Sequence, residues 1–177
     1  MAHQVSYLTD VGYTAAFAAG IVAIFGISAI VGSVCAFISD HLGREVTFTI
    51  GSVVALIGVI VLMLIQSALH SWMPYAYAVI FGFGYGICIA LMPVMSADLF
   101  QGKHFGAING IVMGFFVVGG AIGPWFAGHI FDITGTYAQA FPLMYFSIFA
   151  SIAFMWLASP RKVRLVPGKA KVASKSR

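Results

Sequence analysis

Asp40 and Arg44 stand four residues apart in a short polar seam, Ser39-Asp40-His41-Leu42-Gly43-Arg44-Glu45, between two long apolar stretches. A carboxylate and a guanidinium at that spacing can pair with each other, and each can pair with the end of a neighbouring helix. Such a pair latches; it makes and breaks no bonds. Neutral polar groups inside the apolar stretches are few: Tyr77, Tyr85, Asn109, Gln66 and His129, with His3 and Tyr7 near the N-terminus. They can hydrogen-bond a solute or another helix. His129 is of the residue type that can carry a coupling proton, but beside Asp132 it also reads as a solvated helix-end pair. Bond-making chemistry would need more. There is no Gly-x-Ser-x-Gly elbow, no His-Glu-x-x-His and no pair of carboxylates within an apolar stretch, so an enzyme is the weakest reading. Cys35 and Cys88 sit singly inside apolar stretches and read as small packing residues, so the sequence asks for no cofactor and no metal.

The stretches between these groups decide how they are held. Only 8% of the 177 residues are charged, and the mean hydropathy is +1.01. From Val46 to Ala97 there is no Asp, Glu, Lys or Arg. A water-soluble surface needs charge all round, so a soluble domain is excluded. A helix of roughly 20 apolar residues crosses the hydrocarbon core of a bilayer. Five stretches are long enough, at about 13–38, 46–69, 73–97, 105–131 and 138–159. In lipid each must be a helix or a strand of a closed barrel. Strand-like alternation is absent, and the stretches are more than twice the length of a barrel strand. The expected fold is therefore an all-α integral membrane bundle. Gly43, Gly102 and Gly135 mark helix stops, and Trp72 and Pro74 mark the uncharged turn between the second and third helices.

The charges then sort by side. Arg44 follows the first stretch, Lys103 the third, and the other seven Lys and Arg residues, from Arg161 to Arg177, follow the fifth. All nine share one face, and basic residues stay on the cytoplasmic side. The expectation is a multi-pass protein of the cell (inner or plasma) membrane, N-terminus outside and C-terminus cytoplasmic. Residues 1–12 are too short and polar to cross and lack a secretory signal's basic-then-apolar order, so they read as the outer end of a truncated helix. Residues 13–159 make the bundle. Residues 160–177 make a basic tail, expected to be disordered, that enforces topology or touches anionic headgroups.

Small residues recur four apart on three helices: Ser28, Gly32 and Ala36; Gly82, Gly86 and Ala90; and Gly106, Gly110 and Gly114, with Gly119 and Gly123 beyond. Such stripes let helix backbones approach closely, either for static packing or for helices that slide and rock. Gly123-Pro124 and Pro93 are expected to bend their helices.

The segment Ala36-Phe37-Ile38-Ser39-Asp40-His41-Leu42-Gly43-Arg44 resembles the signature loop of the major facilitator superfamily, Gly-x-Leu-x-Asp-Arg-x-Gly-Arg. That loop recurs in each half of the family's proteins, between the second and third and between the eighth and ninth helices. Asp40, Gly43 and Arg44 match; Ala36 stands for Gly, and His41 and Glu45 for basic residues. The resemblance implies that Asp40, Gly43 and Arg44 form a conformational latch. A second resemblance spans Asp98-Leu99-Phe100, His104-Phe105-Gly106-Ala107-Ile108-Asn109-Gly110, Gly119-Gly120-Ala121-Ile122-Gly123-Pro124-Trp125, Gly128, Phe131-Asp132 and Thr134-Gly135-Thr136-Tyr137. It is similar to the tenth-to-twelfth-helix region of the monocarboxylate porter branch, which includes the oxalate–formate antiporters. His3, Tyr7, Asp10 and Gly12 resemble the outer end of that branch's seventh helix.

On this mapping the five helices are the family's eighth to twelfth, and the chain is a C-terminal bundle lacking its N-terminal half. The family's seventh and tenth helices face the central cavity, and its eighth and eleventh border the other half, which makes Tyr7, Tyr77, Tyr85 and Asn109 the cavity candidates. Gly106, Gly110, Gly114, Gly123 and Pro124 are the packing and bending candidates. The implied function is alternating-access transport of a small solute such as a monocarboxylate, with a proton as candidate coupling ion. The implied partners are the bilayer, the N-terminal half and the solute; nucleic acid is not one. One departure stands out: the branch carries a cation in its eighth helix, and residues 13–38 hold none. A non-transporting scaffold or remnant is the alternative reading, with an intramembrane enzyme a distant third.

Overall fold

A computed structural model describes residues 4–65, 71–100, 102, 104–135 and 140–158. His3, Gln66, His70, Lys103, Thr136, Tyr137 and the basic tail lie outside the described residues. The described residues are all-helical, without a strand: α1 (Gln4–Asp10), α2 (Ala15–Cys35), a 3₁₀ turn (Ala36–Ile38), α3 (Ser39–Leu42), α4 (Arg44–Leu64), α5 (Trp72–Leu99), α6 (Phe105–Thr134) and α7 (Ala140–Ala158). Four spans are long and apolar enough to cross a membrane: Ala15–Leu42, Arg44–Leu64, Trp72–Leu99 and Phe105–Thr134. The fifth, α7, is shorter, with Pro142–Ala158 as its apolar part. At 1.5 Å per residue α6 is about 45 Å long, so it must tilt or emerge from a core of about 30 Å.

The helices end where backbone chemistry stops them rather than where polarity begins. The first span runs past residue 38 through the 3₁₀ turn into α3, so Asp40 lies on a helix and not in a loop. Gly43, at φ +102°, ends it. The next helix begins at Arg44, two residues before the apolar stretch. Charged side chains can extend from a helix end to the interface, so charge alone breaks nothing. Thr14 starts α2 by accepting a hydrogen bond from the Phe17 N–H at 3.3 Å. Pro93 and Pro124 both lie within continuous helices.

At the centre is α5. It runs parallel to α2, as Phe17 meets Tyr75 and Phe25 meets Phe81 and Tyr85. It runs antiparallel to α4, where Gly58 faces Phe81, Gly51 faces Ile87 and Arg44 faces Asp98. Lipid tails are as apolar as leucine, so burial alone does not drive these helices together; close contact does. The two small-residue stripes of α2 and α5 face each other. A Cβ on Gly82 would lie 2.6 Å from the Phe25 carbonyl oxygen and 2.9 Å from the Ser28 Cβ, and one on Gly86 would meet the Ala29 carbonyl. The Ser33 hydroxyl donates to the Gly86 carbonyl at 3.1 Å across the same seam. Along the other side, α7 runs antiparallel to α4, with the Tyr145 hydroxyl 2.8 Å from Met63 Sδ and Trp156 Nε1 3.1 Å from Thr49 Oγ1.

By contrast, α6 buries no residue. A Cβ at Gly106, Gly110, Gly114, Gly119 or Gly123 would meet nothing within 4 Å among the described residues. Among the described residues its stripe therefore meets no other helix, unlike the stripes of α2 and α5.

Candidate functional site

The starts of α4 and α6 and the ends of α3, α5 and α7 lie at one end of the bundle, where Arg44 is held. Its Nε donates to Asp98 Oδ2 at 2.9 Å, its Nη2 pairs with Asp40 Oδ1 at 2.9 Å, and its Nη1 donates to Ser39 Oγ. The arginine and Asp98 side chains are 9% and 11% exposed, whereas that of Asp40 is 47% exposed. The buried pair is thus the inter-helix one. Each member sits against its own helix dipole: a cation at the N-terminus of α4 and an anion at the C-terminus of α5. Neither placement is favourable alone, and each offsets the other.

Gly43 makes this geometry possible. Its φ of +102° and ψ of 149° belong to a region that essentially only glycine enters. Its N–H donates back to the Ser39 carbonyl at 3.0 Å. Its own carbonyl accepts from the Thr47 N–H at 3.1 Å and the Thr47 hydroxyl at 3.0 Å. The turn brings α3 and α4 together so that Ser39, Asp40 and Arg44 converge. Glu45, 1% exposed, and Ser96 are buried at the same end, and Ser96 Oγ has no hydrogen-bond partner among the described residues.

Tyr7 and Tyr77 lie toward the other end, and Tyr85 stands midway along α5. Tyr77, 2% exposed, accepts a hydrogen bond from Gln4 Nε2 of α1. Tyr7 is oriented toward the end of α4, where its hydroxyl lies 3.1 Å from the Ile65 carbonyl and 3.3 Å from that of Leu62. Both carbonyls lie at the C-terminal end of α4, where that of Leu62 also accepts from the Ile65 N–H at 3.1 Å. Tyr85 packs its ring 5.7 Å from Phe25 and 6.3 Å from Phe81, and Phe81 stacks on Tyr77 at 5.5 Å. Tyr77 and Tyr85 therefore share one face of α5 within an aromatic seam against α2, and Tyr7 and Gln4 dock α1 over its end.

Asn109 stands apart on α6. Its Oδ1 is shielded from solvent and has no partner among the described residues. Farther along, Pro124, Trp125, Gly128, His129 and Asp132 line an open cleft of about 270 Å³, with the His129 and Trp125 rings stacked at 5.7 Å. All five belong to one helix, so the cleft is a groove on the surface of α6. Among the described residues no group of three or more His, Cys, Asp or Glu could hold a metal.

Asp98, Ser39 and Gln4 were not singled out as partners from sequence. For Asp98 a signal existed: it lies in a seam on the same side as Arg44, with the opposite charge. For Ser39 and Gln4 the polar type was visible but the partner was not, since Gln4 and Tyr77 are 73 residues apart.

No curated protein and no solved structure matches the chain. A family model described as Major Facilitator Superfamily matches residues 2–177. With its all-helical, membrane-crossing architecture, the chain belongs to the major facilitator superfamily, a family of membrane transporters.

Proposed function

We propose that this chain is the C-terminal bundle of a secondary transporter that moves a small organic anion, such as a monocarboxylate, by alternating access. Asp40, Gly43 and Arg44, with Asp98, serve as its conformational latch. The observation that carries this reading is the buried Arg44–Asp98 pair at the Gly43 turn. A buried ion pair is a poor way to gain stability, because desolvation consumes most of the attraction. It is a good switch: its charges can exchange partners when a neighbouring bundle moves. Asp40, half-exposed and already on Arg44, is the carboxylate placed to make that exchange.

The face of α6 supports the same reading. A 30-residue helix whose glycine stripe has open space before it among the described residues suits contact with a second bundle. Asn109 Oδ1, shielded from solvent and without a partner among the described residues, would take a hydrogen bond from that bundle or from a solute once α6 shifts to open it. Tyr77 and Tyr85 would border the cavity from α5, with Tyr7 acting on it through α1. The anion assignment rests on the resemblance of residues 98–137 to the monocarboxylate porter branch. Among the described residues Arg44 is the single Lys or Arg, and two carboxylates hold it, so a group outside them would pair with the substrate.

Proteoliposome uptake of labelled lactate, formate and oxalate tests this. The chain joined to an N-terminal six-helix bundle is expected to accumulate at least one of them, and the chain alone none. Uptake by the chain alone would refute the half-bundle reading. A folded, completed protein that moves none of the three would refute the anion assignment.

A further inference from the structure

Trp156 lies near the end of α7, 112 positions beyond Arg44 in the sequence, yet it reaches the turn of α4 that follows the one carrying Arg44. Its Nε1–H donates to Thr49 Oγ1 at 3.1 Å. The same Thr49 hydroxyl donates to the Glu45 carbonyl at 2.7 Å. Glu45 follows Arg44 directly and is 1% exposed. Thr47 makes the matching bond to the Gly43 carbonyl at 3.0 Å. Two threonine hydroxyls thus grip the first-turn carbonyls of α4 on either side of Arg44, and one of them is itself held by α7. Threonine back-bonding of this kind tilts a helix locally, so a partner that fixes the hydroxyl also fixes the tilt.

We propose that Trp156 is a positioning residue for the Arg44 network. It holds Thr49, and through Thr49 the first turn of α4, in the register at which Arg44 meets Asp98 and Asp40. This rests on reading that network as the latch of a transporter bundle. The lever is α7. Its other end is tied to α4 by the Tyr145–Met63 contact, and Ile152 and Met155 pack against the cluster of Ala36, Phe48, Ile87, Leu91 and Met95 between the two ties. A shift of α7 along α4 therefore reaches Thr49. The indole, 45% exposed, sits where an aromatic side chain with one polar edge belongs at a membrane interface.

Thermal unfolding of the full chain in detergent micelles tests the link. Trp156→Phe keeps an aromatic ring and removes the N–H donor; Thr49→Val removes the hydroxyl; Thr49→Ser restores it. Trp156→Phe and Thr49→Val are each expected to lower the midpoint by about 2–4 °C, their double variant by no more than either, and Thr49→Ser by nothing measurable. In an Asp98→Asn background the Trp156→Phe shift should fall by more than half. That of Tyr145→Phe, at the far end of α7, should stay as it is. If Asp98→Asn does not fold, Asp40→Asn supplies the same background. A Trp156→Phe shift that simply adds to either carboxylate variant overturns the proposal. In the completed transporter, Trp156→Phe should slow turnover several-fold with KM unchanged; a changed KM at constant turnover also overturns it. The unfolding cycle needs no transport, so coupling without any transport upholds the positioning link and refutes the transporter reading instead.

Discussion

Replacing Asp98 should cost more stability than replacing Asp40, although Asp40 is the residue in the signature segment. Arg44 is 9% exposed and shares its guanidinium between the two carboxylates, one 11% and the other 47% exposed. Removing one member of a buried pair costs about 3–5 kcal/mol, because the other charge stays desolvated. Asp98→Ala should fall near the low end, about 3 kcal/mol, since Asp40 still contacts the guanidinium. Asp98→Asn retains an oxygen that accepts from Nε and loses only the charge on that bond, about 1–1.5 kcal/mol. Asp40→Ala breaks a pair half open to solvent, worth about 0–1 kcal/mol. The expected order of loss is Asp98→Ala, then Asp98→Asn, then Asp40→Ala. SDS titration from a mild detergent, followed by tryptophan fluorescence, reads the order directly. Equal losses for Asp98→Ala and Asp40→Ala, or a loss below about 1 kcal/mol for Asp98→Ala, would refute the claim that the inter-helix pair is the buried, energetically dominant one.

Three further outcomes are expected. Gly43→Ala forces a Cβ into backbone space that glycine alone enters, and should destabilise by about 1–3 kcal/mol and loosen the Arg44 pairs, which the same titration measures. Gly86→Leu drives a side chain into the Ala29 backbone and should prevent α2–α5 association, whereas Gly110→Leu on open α6 should leave the bundle's midpoint within about 2 °C of the parent. Equal damage from the two would mean that α6 packs within this bundle. Asp40→Asn should leave membrane insertion intact, as judged by carbonate extraction, and impair transport by the completed protein; unchanged rates would make the Asp40 contact structural only.

Much of the architecture could be read without coordinates because lipid imposes it. A chain with no charge from Val46 to Ala97 has few options, and backbone groups in hydrocarbon must bond within their own helix. Helix boundaries were less legible. Gly43 stopped α3 as expected, but Asp40, Arg44 and Asp98 lie on helices, because a charge at a helix end can reach the interface without breaking the backbone pattern. The segment around Asp40, Gly43 and Arg44 was visible as a motif, yet its strongest partner was not. Asp98 is 54 residues from Arg44, and only the antiparallel packing of α4 on α5 brings them to 2.9 Å.

The glycine stripes make the same division clear. Identical four-residue spacing on α2, α5 and α6 promised three packing faces. Spacing sets which residues share a face; it does not say what that face meets. In the folded chain α2 and α5 close on each other through Ser28, Gly32, Gly82 and Gly86, while a Cβ on Gly106, Gly110 or Gly114 would meet nothing within 4 Å among the described residues. The residue types and their periods fixed helices and a membrane-spanning class, since those follow from local bonding and solvent alone. Which carboxylate holds Arg44, which stripe is filled, and how Trp156 comes to touch Thr49 are contacts between distant segments, and those depend on how whole helices pack.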